Sequence, residues 1–179
     1  MDRFLELLEV QVKALRVGDP LHESTQMGPL ISRAQLDTVS SFMRDGAHVA
    51  FRGSAPEGAG FWFAPTVLAP VGPHERVARE EVFGPIAAVL PFDDEAQAIE
   101  LANNTIYGLS GSIWTRDGAR ALRVARAVQT GVLSINANTS VRVSTPFGGF
   151  KQSGYGRELG PHAMEAYSEL KTIFYATEG

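Results

Sequence analysis

Apolar residues recur along the chain with two periods, and the switches between them mark its elements. From Asp2 to about Leu15, Phe4, Leu7, Leu8, Val12 and Leu15 share one helical face, and Gly18-Asp19-Pro20 ends the element. Residues 21–31 lack clean periodicity. Ser32 then offers a cap to a second helix whose buried stripe is Leu36, Val39, Phe42 and Met43. Ala47 to Phe51 reads as a strand and the Gly/Pro/Ala-rich stretch 53–60 as a surface loop. Phe61-Trp62-Phe63 and Thr66-Val67-Leu68 resume extended structure, and a Gly-Pro turn precedes His74 and Glu75.

Beyond residue 85 the alternation becomes regular. Ile86 to Phe92 is apolar, and Asp93-Asp94-Glu95 is a polar start to a helix carrying Ala96, Ile99 and Ala102. Gly111 to Thr115 is the next strand, Asp117 opens a helix with Leu122, Val124, Ala125 and Val128, and Gly131 to Ile135 is a further strand. Strand, helix, strand, helix, strand with short joins predicts right-handed crossovers and a parallel sheet covered by helices, an α/β fold. Pro161 to about Ala166 predicts a short helix, and Lys171 to Thr177 a terminal strand. Such a strand must pair, either within its own domain or with the sheet of another subunit, because an exposed apolar edge invites aggregation.

Composition narrows the function classes. With 179 residues, 44% of them hydrophobic and 20% charged, the chain has the make-up of one soluble domain with a sizeable core. A formal net charge of −4 and a pI near 5.6 supply no basic footprint for nucleic acid or an anionic membrane surface. Arg116, Arg120, Arg123 and Arg126 recur at helical spacing, which reads as a solvated helix face before a binding stripe. No run approaches the roughly 20 apolar residues of a membrane span. The first residues are amphipathic instead of basic then apolar, so no secretory signal is visible and cytoplasm is the expected location. There is no cysteine, which excludes disulfides, thiolate metal sites and a thiol nucleophile within the chain. His22, His48, His74 and His162 show no metal-ligand spacing, so no metal is expected.

Thr145 to Glu158 is the stretch on which candidate chemistry centres. Its glycines at 148, 149, 154 and 156 permit left-handed or close-approach backbone, while Phe147, Phe150 and Tyr155 want burial and Lys151, Arg157 and Glu158 supply polar fasteners. This suits an ordered loop better than a flexible spacer, although a glycine-rich turn between two core elements would look the same. Ser153 lacks the surroundings of a nucleophile elbow, and Gly154-Tyr155-Gly156 lacks the third glycine of a dinucleotide fingerprint.

Pro146-Phe147-Gly148-Gly149-Phe150-Lys151-Gln152-Ser153-Gly154-Tyr155-Gly156-Arg157-Glu158 resembles the Pro-Phe-Gly-Gly-x-Lys-x-Ser-Gly-x-Gly-Arg-Glu segment of the aldehyde dehydrogenase superfamily, and Glu80-Glu81-Val82-Phe83-Gly84-Pro85 resembles that family's Glu-Glu-x-Phe-Gly-Pro segment. Further similarities run from Gly18-Asp19-Pro20 and Met27-Gly28-Pro29-Leu30 through Pro65-Thr66-Val67 and Tyr107-Gly108-Leu109 to Gly131-Val132 and Asn136, in the family's order.

The resemblance implies an NAD(P)-dependent enzyme that oxidises aldehydes to carboxylic acids through a cysteine thioester. It needs a nucleophile, an oxyanion stabiliser, a base for water and a held cofactor. By the same resemblance the catalytic cysteine, the base, the oxyanion asparagine and the dinucleotide domain all precede this chain, so no catalytic residue is expected in it and it should be inactive alone. Glu81 corresponds to the glutamate on the ribose beside the nicotinamide, a task that suits a carboxylate because it accepts two hydrogen bonds. Phe83 corresponds to the aromatic against the nicotinamide, whereas from the residues alone core packing is the plainer reading. Glu80 is expected to be structural, through a salt bridge or a backbone contact. Phe147 corresponds to an aromatic lining the aldehyde tunnel, and Asn136 to the residue leading into the substrate loop. Between them Ala137 to Thr145 carries small and polar residues and Arg142, a departure from aromatic tunnels that suits a polar or anionic substrate or, equally, a neighbouring subunit. The implied division is a partial catalytic domain over 1–152, a return segment over 153–167 and an oligomerisation strand with its tail over 168–179, the strand joining subunits of a homo-oligomer. The rival class is a non-catalytic assembly or binding module derived from such an enzyme.

Overall fold

The computed structural model describes residues 1–43, 46–139 and 141–177. The chain divides into two compact units, Met1–Phe92 and Asp93–Gly179.

The first unit contains α1 (Asp2–Lys13), α2 (Arg33–Ser41), β1 (Val49–Arg52), β2 (Thr66–Leu68), a single-turn α3 (Arg76–Arg79) and β3 (Ile86–Ala88). Its sheet has the order β1-β2-β3, with β1 antiparallel and β3 parallel to the central strand. All three residues of β2 are buried, as a strand covered on both faces requires. Register runs Phe51 to Val67 and Arg52 to Thr66 on one side, Thr66 to Ile86 through Leu68 to Ala88 on the other, with an irregularity between Val49 and Phe51. α2 starts where Ser32 Oγ accepts the backbone N–H of Gln35 at 3.1 Å, satisfying one of the orphan donors of the first turn. Its stripe delivers Val39 and Phe42 to a core cluster with Val82, against which Leu30, Phe63, Val77 and Ile86 pack. The Arg76 guanidinium lies 4.0 Å above the Phe42 ring and closes that cluster's edge.

The second unit contains α4 (Glu95–Asn103), β4 (Ser110–Ile113), α5 (Gly118–Ala127) and β5 (Val132–Ile135), followed by two short 3-10 turns at Lys151–Ser153 and Ala163–Tyr167. β4 and β5 pair in parallel from Ser110–Val132 to Ile113–Ile135, with α5 as the crossover. Asp94 and Asp117 cap α4 and α5 by accepting the N–H groups of Gln97 and Arg120 at 2.8 and 3.0 Å. The carboxylate of Glu95 receives Arg123 and Arg120, at 2.6 and 3.1 Å, and so ties the starts of the two helices together. Two of the four arginines at helical spacing thus serve the fold.

The α/β class and the principal helices stand where the periodicity puts them, but the pairing corrects the expectation of one parallel sheet. β3 belongs to a mixed three-stranded sheet, and β4 and β5 form a second, two-stranded one. Periodicity reports which face of a strand is apolar, whereas partner choice is a long-range matter. Phe61-Trp62-Phe63 forms no strand, and of the apolar run from Ile86 to Phe92 only Ile86–Ala88 is strand, with Val89 adding backbone bonds to Leu68 and Val71. The helix expected at Pro161 is the 3-10 turn Ala163–Tyr167. Residues 171–177 are exposed and form no strand with any described residue, in place of the strand expected there. Ser140, in the loop expected to face substrate, and residues 178–179, in the expected tail, lie outside the described residues.

Candidate functional site

In the first unit, α2 and α3 hold the Glu80–Pro85 segment in one conformation. Glu80 ends α3 and binds Arg76 Nε at 2.8 Å, the structural part expected of it. Val82 turns inward to the core cluster. The Gln35 side chain donates to the carbonyls of Phe83 and Val82, at 2.9 and 3.2 Å. Gly84 lies so close to α2 that an added Cβ would sit 2.5 Å from Val39 Cγ2. Phe83 has φ of +53°, a conformation that a bulky residue adopts only when its surroundings impose it. With Val82 inside, Glu81 is exposed and 72% of the Phe83 surface faces solvent, so the core reading of Phe83 is set aside. Among the described residues no side chain pairs with the Glu81 carboxylate. The segment thus presents an open carboxylate, a hydrogen-bond acceptor, two positions before an open aromatic ring.

In the second unit the glycine-rich stretch is an ordered loop tied back at many points. Phe147 and Glu158 exchange both backbone hydrogen bonds at 2.7 Å, which closes the loop at its base. Arg157 Nη1 donates to the carbonyls of Gly156 and Gly149, at 2.6 and 3.0 Å. Lys151 Nζ caps the carbonyls of Asn103 and Thr105 at 2.8 and 3.0 Å, at the C-terminal end of α4. Ser153 Oγ accepts the Gly108 N–H at 3.0 Å, so its hydroxyl serves the fold. The glycines are needed for close approach: a Cβ on Gly131 would overlap the Gly148 carbonyl, and one on Gly108 would meet the Gln129 carbonyl at 2.6 Å.

Asn136 follows β5 with φ of +52°. Its backbone N–H donates to Ile113, while its amide side chain donates to and accepts from the backbone of Thr115, both at 2.9 Å, prolonging the β4–β5 ladder by one step. Phe147 is half-buried. Between them the loop is anchored where Gly160 N–H donates to the Val143 carbonyl at 3.0 Å and Thr145 N–H to the Arg142 carbonyl at 3.1 Å.

Glu81 and Phe83 therefore belong to one unit and Asn136 and Phe147 to the other. Residue chemistry alone did not single out Gln35, the clamp on Phe83, or Asn103, which binds Ala127, Gln129 and Lys151. Both are ordinary helix residues whose role exists only in three dimensions. Electrostatic perturbation concentrates on α4 and α5: Arg123 beside Glu95 holds that carboxyl below its usual range, and the pair raises Arg123 in turn. The backbone N–H of Arg120 does the same for the Asp117 carboxyl. An open recess of about 560 Å³ on α5 is lined by Ala119, Leu122, Arg123, Arg126 and Ala127 and holds none of the candidate residues. Among the described residues no group of three or more His, Asp or Glu side chains is placed to hold a metal ion, and no helix is long and apolar enough to cross a membrane.

Fold and loop chemistry define an α/β chain with a closely packed glycine-rich loop and an exposed carboxylate–aromatic pair. Residues 1–173 match the Aldehyde dehydrogenase family. Betaine aldehyde dehydrogenases of Mesorhizobium japonicum and Rhizobium leguminosarum bv. trifolii are 45% and 44% identical to it, over 98% and 96% of this chain. A solved structure of the Staphylococcus aureus betaine aldehyde dehydrogenase in complex with NAD+ superposes with a TM-score of 0.86 at 38% identity, covering 93% of this chain and 35% of that one. The chain belongs to the aldehyde dehydrogenase family. It spans 38% and 37% of the length of the two curated relatives.

Proposed function

We propose that this chain is the C-terminal part of an NAD(P)-dependent aldehyde dehydrogenase located in the cytoplasm. Glu81 binds the ribose next to the nicotinamide, Phe83 lies against the nicotinamide, and Asn136 and Phe147 line the aldehyde side of the site. When bound, the nicotinamide ring accepts the hydride released as a cysteine-bound aldehyde becomes a thioester, and water then frees the acid. That cysteine lies outside this chain, so the chain alone is inactive. The observation that carries the reading is the clamped Glu80–Pro85 segment, in which Gln35 and Val39 fix the backbone while Glu81 and Phe83 remain open. The division into 1–152, 153–167 and 168–179 and the use of the last segment in a homo-oligomer belong to the same proposal. They are supported by the exposure of Leu170, Ile173, Phe174 and Tyr175, an apolar run that a partner strand would cover.

The test joins this chain to a segment carrying the cysteine and the cofactor domain and follows nicotinamide reduction with a panel of aldehydes. Turnover is expected in the joined protein and not in the chain alone. Glu81→Gln is expected to raise KM for the cofactor about 10-fold, the effect of losing a charge-assisted hydrogen bond. A joined protein that neither binds nicotinamide cofactor nor oxidises any aldehyde overturns the reading in favour of a non-catalytic assembly module.

A further inference from the structure

The segment from Asn136 to Arg157 holds three cations and no carboxylate. Two of those cations are committed to backbone carbonyls, Lys151 to Asn103 and Thr105 and Arg157 to Gly149 and Gly156. Arg142 is different: it is exposed, and among the described residues its guanidinium pairs with no side chain and no carbonyl. Its position is nonetheless held. The Arg142 carbonyl accepts the Thr145 N–H at 3.1 Å, and the Val143 carbonyl accepts the Gly160 N–H at 3.0 Å. Gly160 itself has φ of +68°, and a Cβ there would meet Pro146 N at 2.9 Å, so the loop and the returning chain are matched to one another. Val141 and Val143 flank the arginine and are also exposed. The backbone is thus held at Arg142 and Val143, while the guanidinium itself stays open, a positive charge available to a ligand.

Resting on the proposed aldehyde site between Asn136 and Phe147, we infer that Arg142 selects the substrate, and that the preferred substrate class is a short aliphatic aldehyde whose far end carries a carboxylate. A guanidinium pairs with a carboxylate through two parallel hydrogen bonds. The same charge repels a cationic substrate. Quaternary ammonium groups are recognised by aromatic faces, and residues 137–145 contain no aromatic side chain.

The experiment compares kcat/KM of the joined protein for three probes, 4-oxobutanoate, butanal and betaine aldehyde. The expected order is 4-oxobutanoate first and betaine aldehyde last. In Arg142→Gln the ratio of kcat/KM for 4-oxobutanoate to that for butanal falls about 10- to 100-fold, the discrimination lost with one charged pair. Arg142→Lys keeps the charge and holds that ratio within about 10-fold of the parent, which separates a lost charge from a damaged loop. Preference for butanal or betaine aldehyde overturns the inference while leaving an active dehydrogenase. So does an Arg142→Gln ratio equal to the parent's, including the case where the substitution changes only the oligomeric state and thereby marks Arg142 as a subunit contact. Absence of turnover with every aldehyde overturns the functional reading beneath it as well.

Discussion

Substituting Gly84 by Ala tests the clamp on the candidate cofactor segment directly. The new Cβ would lie 2.5 Å from Val39 Cγ2 and 3.1 Å from Cγ1. Carbon atoms in contact prefer separations of about 3.5–4.0 Å, so a shift of about 1 Å is required. Val39 cannot supply it by rotating, because a valine in a helix is confined to one rotamer and both of its methyls face the intruder. Its exposure is 0%, so no space lies behind it. The segment must therefore lift from α2, at an overpacking cost of about 1–3 kcal/mol and with loss of about 1 kcal/mol more as the 2.9 Å bond from Gln35 to the Phe83 carbonyl stretches. In urea unfolding this corresponds to a midpoint lower by about 1–2 M. Fluorescence of Trp62, whose indole donates to Ala59 at 2.8 Å within the same unit, reports the transition in a Trp114→Phe background. Val39→Ala removes both obstructing methyls and by itself costs about 2 kcal/mol. The decisive measurement is the double substitution: the cavity made at Val39 accepts the methyl added at Gly84, so the combined loss should fall short of the sum by at least about 1 kcal/mol. Additivity to within about 0.5 kcal/mol would refute the packing argument.

Two further outcomes follow from the second unit. The Glu95 carboxyl, lowered from its ordinary 4.5 chiefly by the hydrogen bond from Arg123, releases its proton more readily folded than unfolded. Its stabilisation is therefore fully present above the ordinary value of 4.5 and is lost as pH falls through the lowered one, so the midpoint gap between parent and Glu95→Gln should be seen near pH 7 and shrink on acidification below the ordinary value. A gap that widens on acidification contradicts the assignment. Glycine substitutions should separate by neighbourhood: Gly131→Ala drives a methyl into the Gly148 carbonyl and should not accumulate as folded protein. Gly118→Ala, with nothing within 4 Å at the first position of α5, should gain about 0.4–1 kcal/mol by urea unfolding. Equal soluble yield from both would show that the loop is not packed backbone to backbone.

Much of the local structure was legible in the residues themselves. Ser32, Asp94 and Asp117 are the caps that their side chains and positions announce, because capping is satisfied within one turn. Val39 and Phe42 are buried as the helical stripe requires, although Leu36 and Met43 on the same stripe are only half-buried. Lys151 and Arg157 do act as side-chain fasteners of an ordered loop, whereas Glu158 joins Phe147 through backbone bonds, and of the aromatics expected to be buried only Phe147 is half-buried while Phe150 and Tyr155 are exposed. The strands were less legible. Phe61-Trp62-Phe63 is the more apolar of the two stretches, yet only Thr66-Val67-Leu68 acquires strand neighbours on both sides.

The sequence by itself determined the class, the helices with their caps, the absence of a thiol and the family segments on which the candidate residues sit, because each depends on composition, short-range periodicity or residue order. Tertiary structure alone decided that Val82 fills the core and Phe83 is left open, since that choice rests on Gln35, 48 residues away in the chain, and on Val39 closing against Gly84. It also decided which cations the loop consumes: Lys151 finds the distant carbonyls of Asn103 and Thr105, Arg157 finds those of Gly149 and Gly156 within the folded loop, and Arg142 finds no partner among the described residues. Charges look alike along a sequence, and only the folded neighbourhood determines which of them remain available to a ligand.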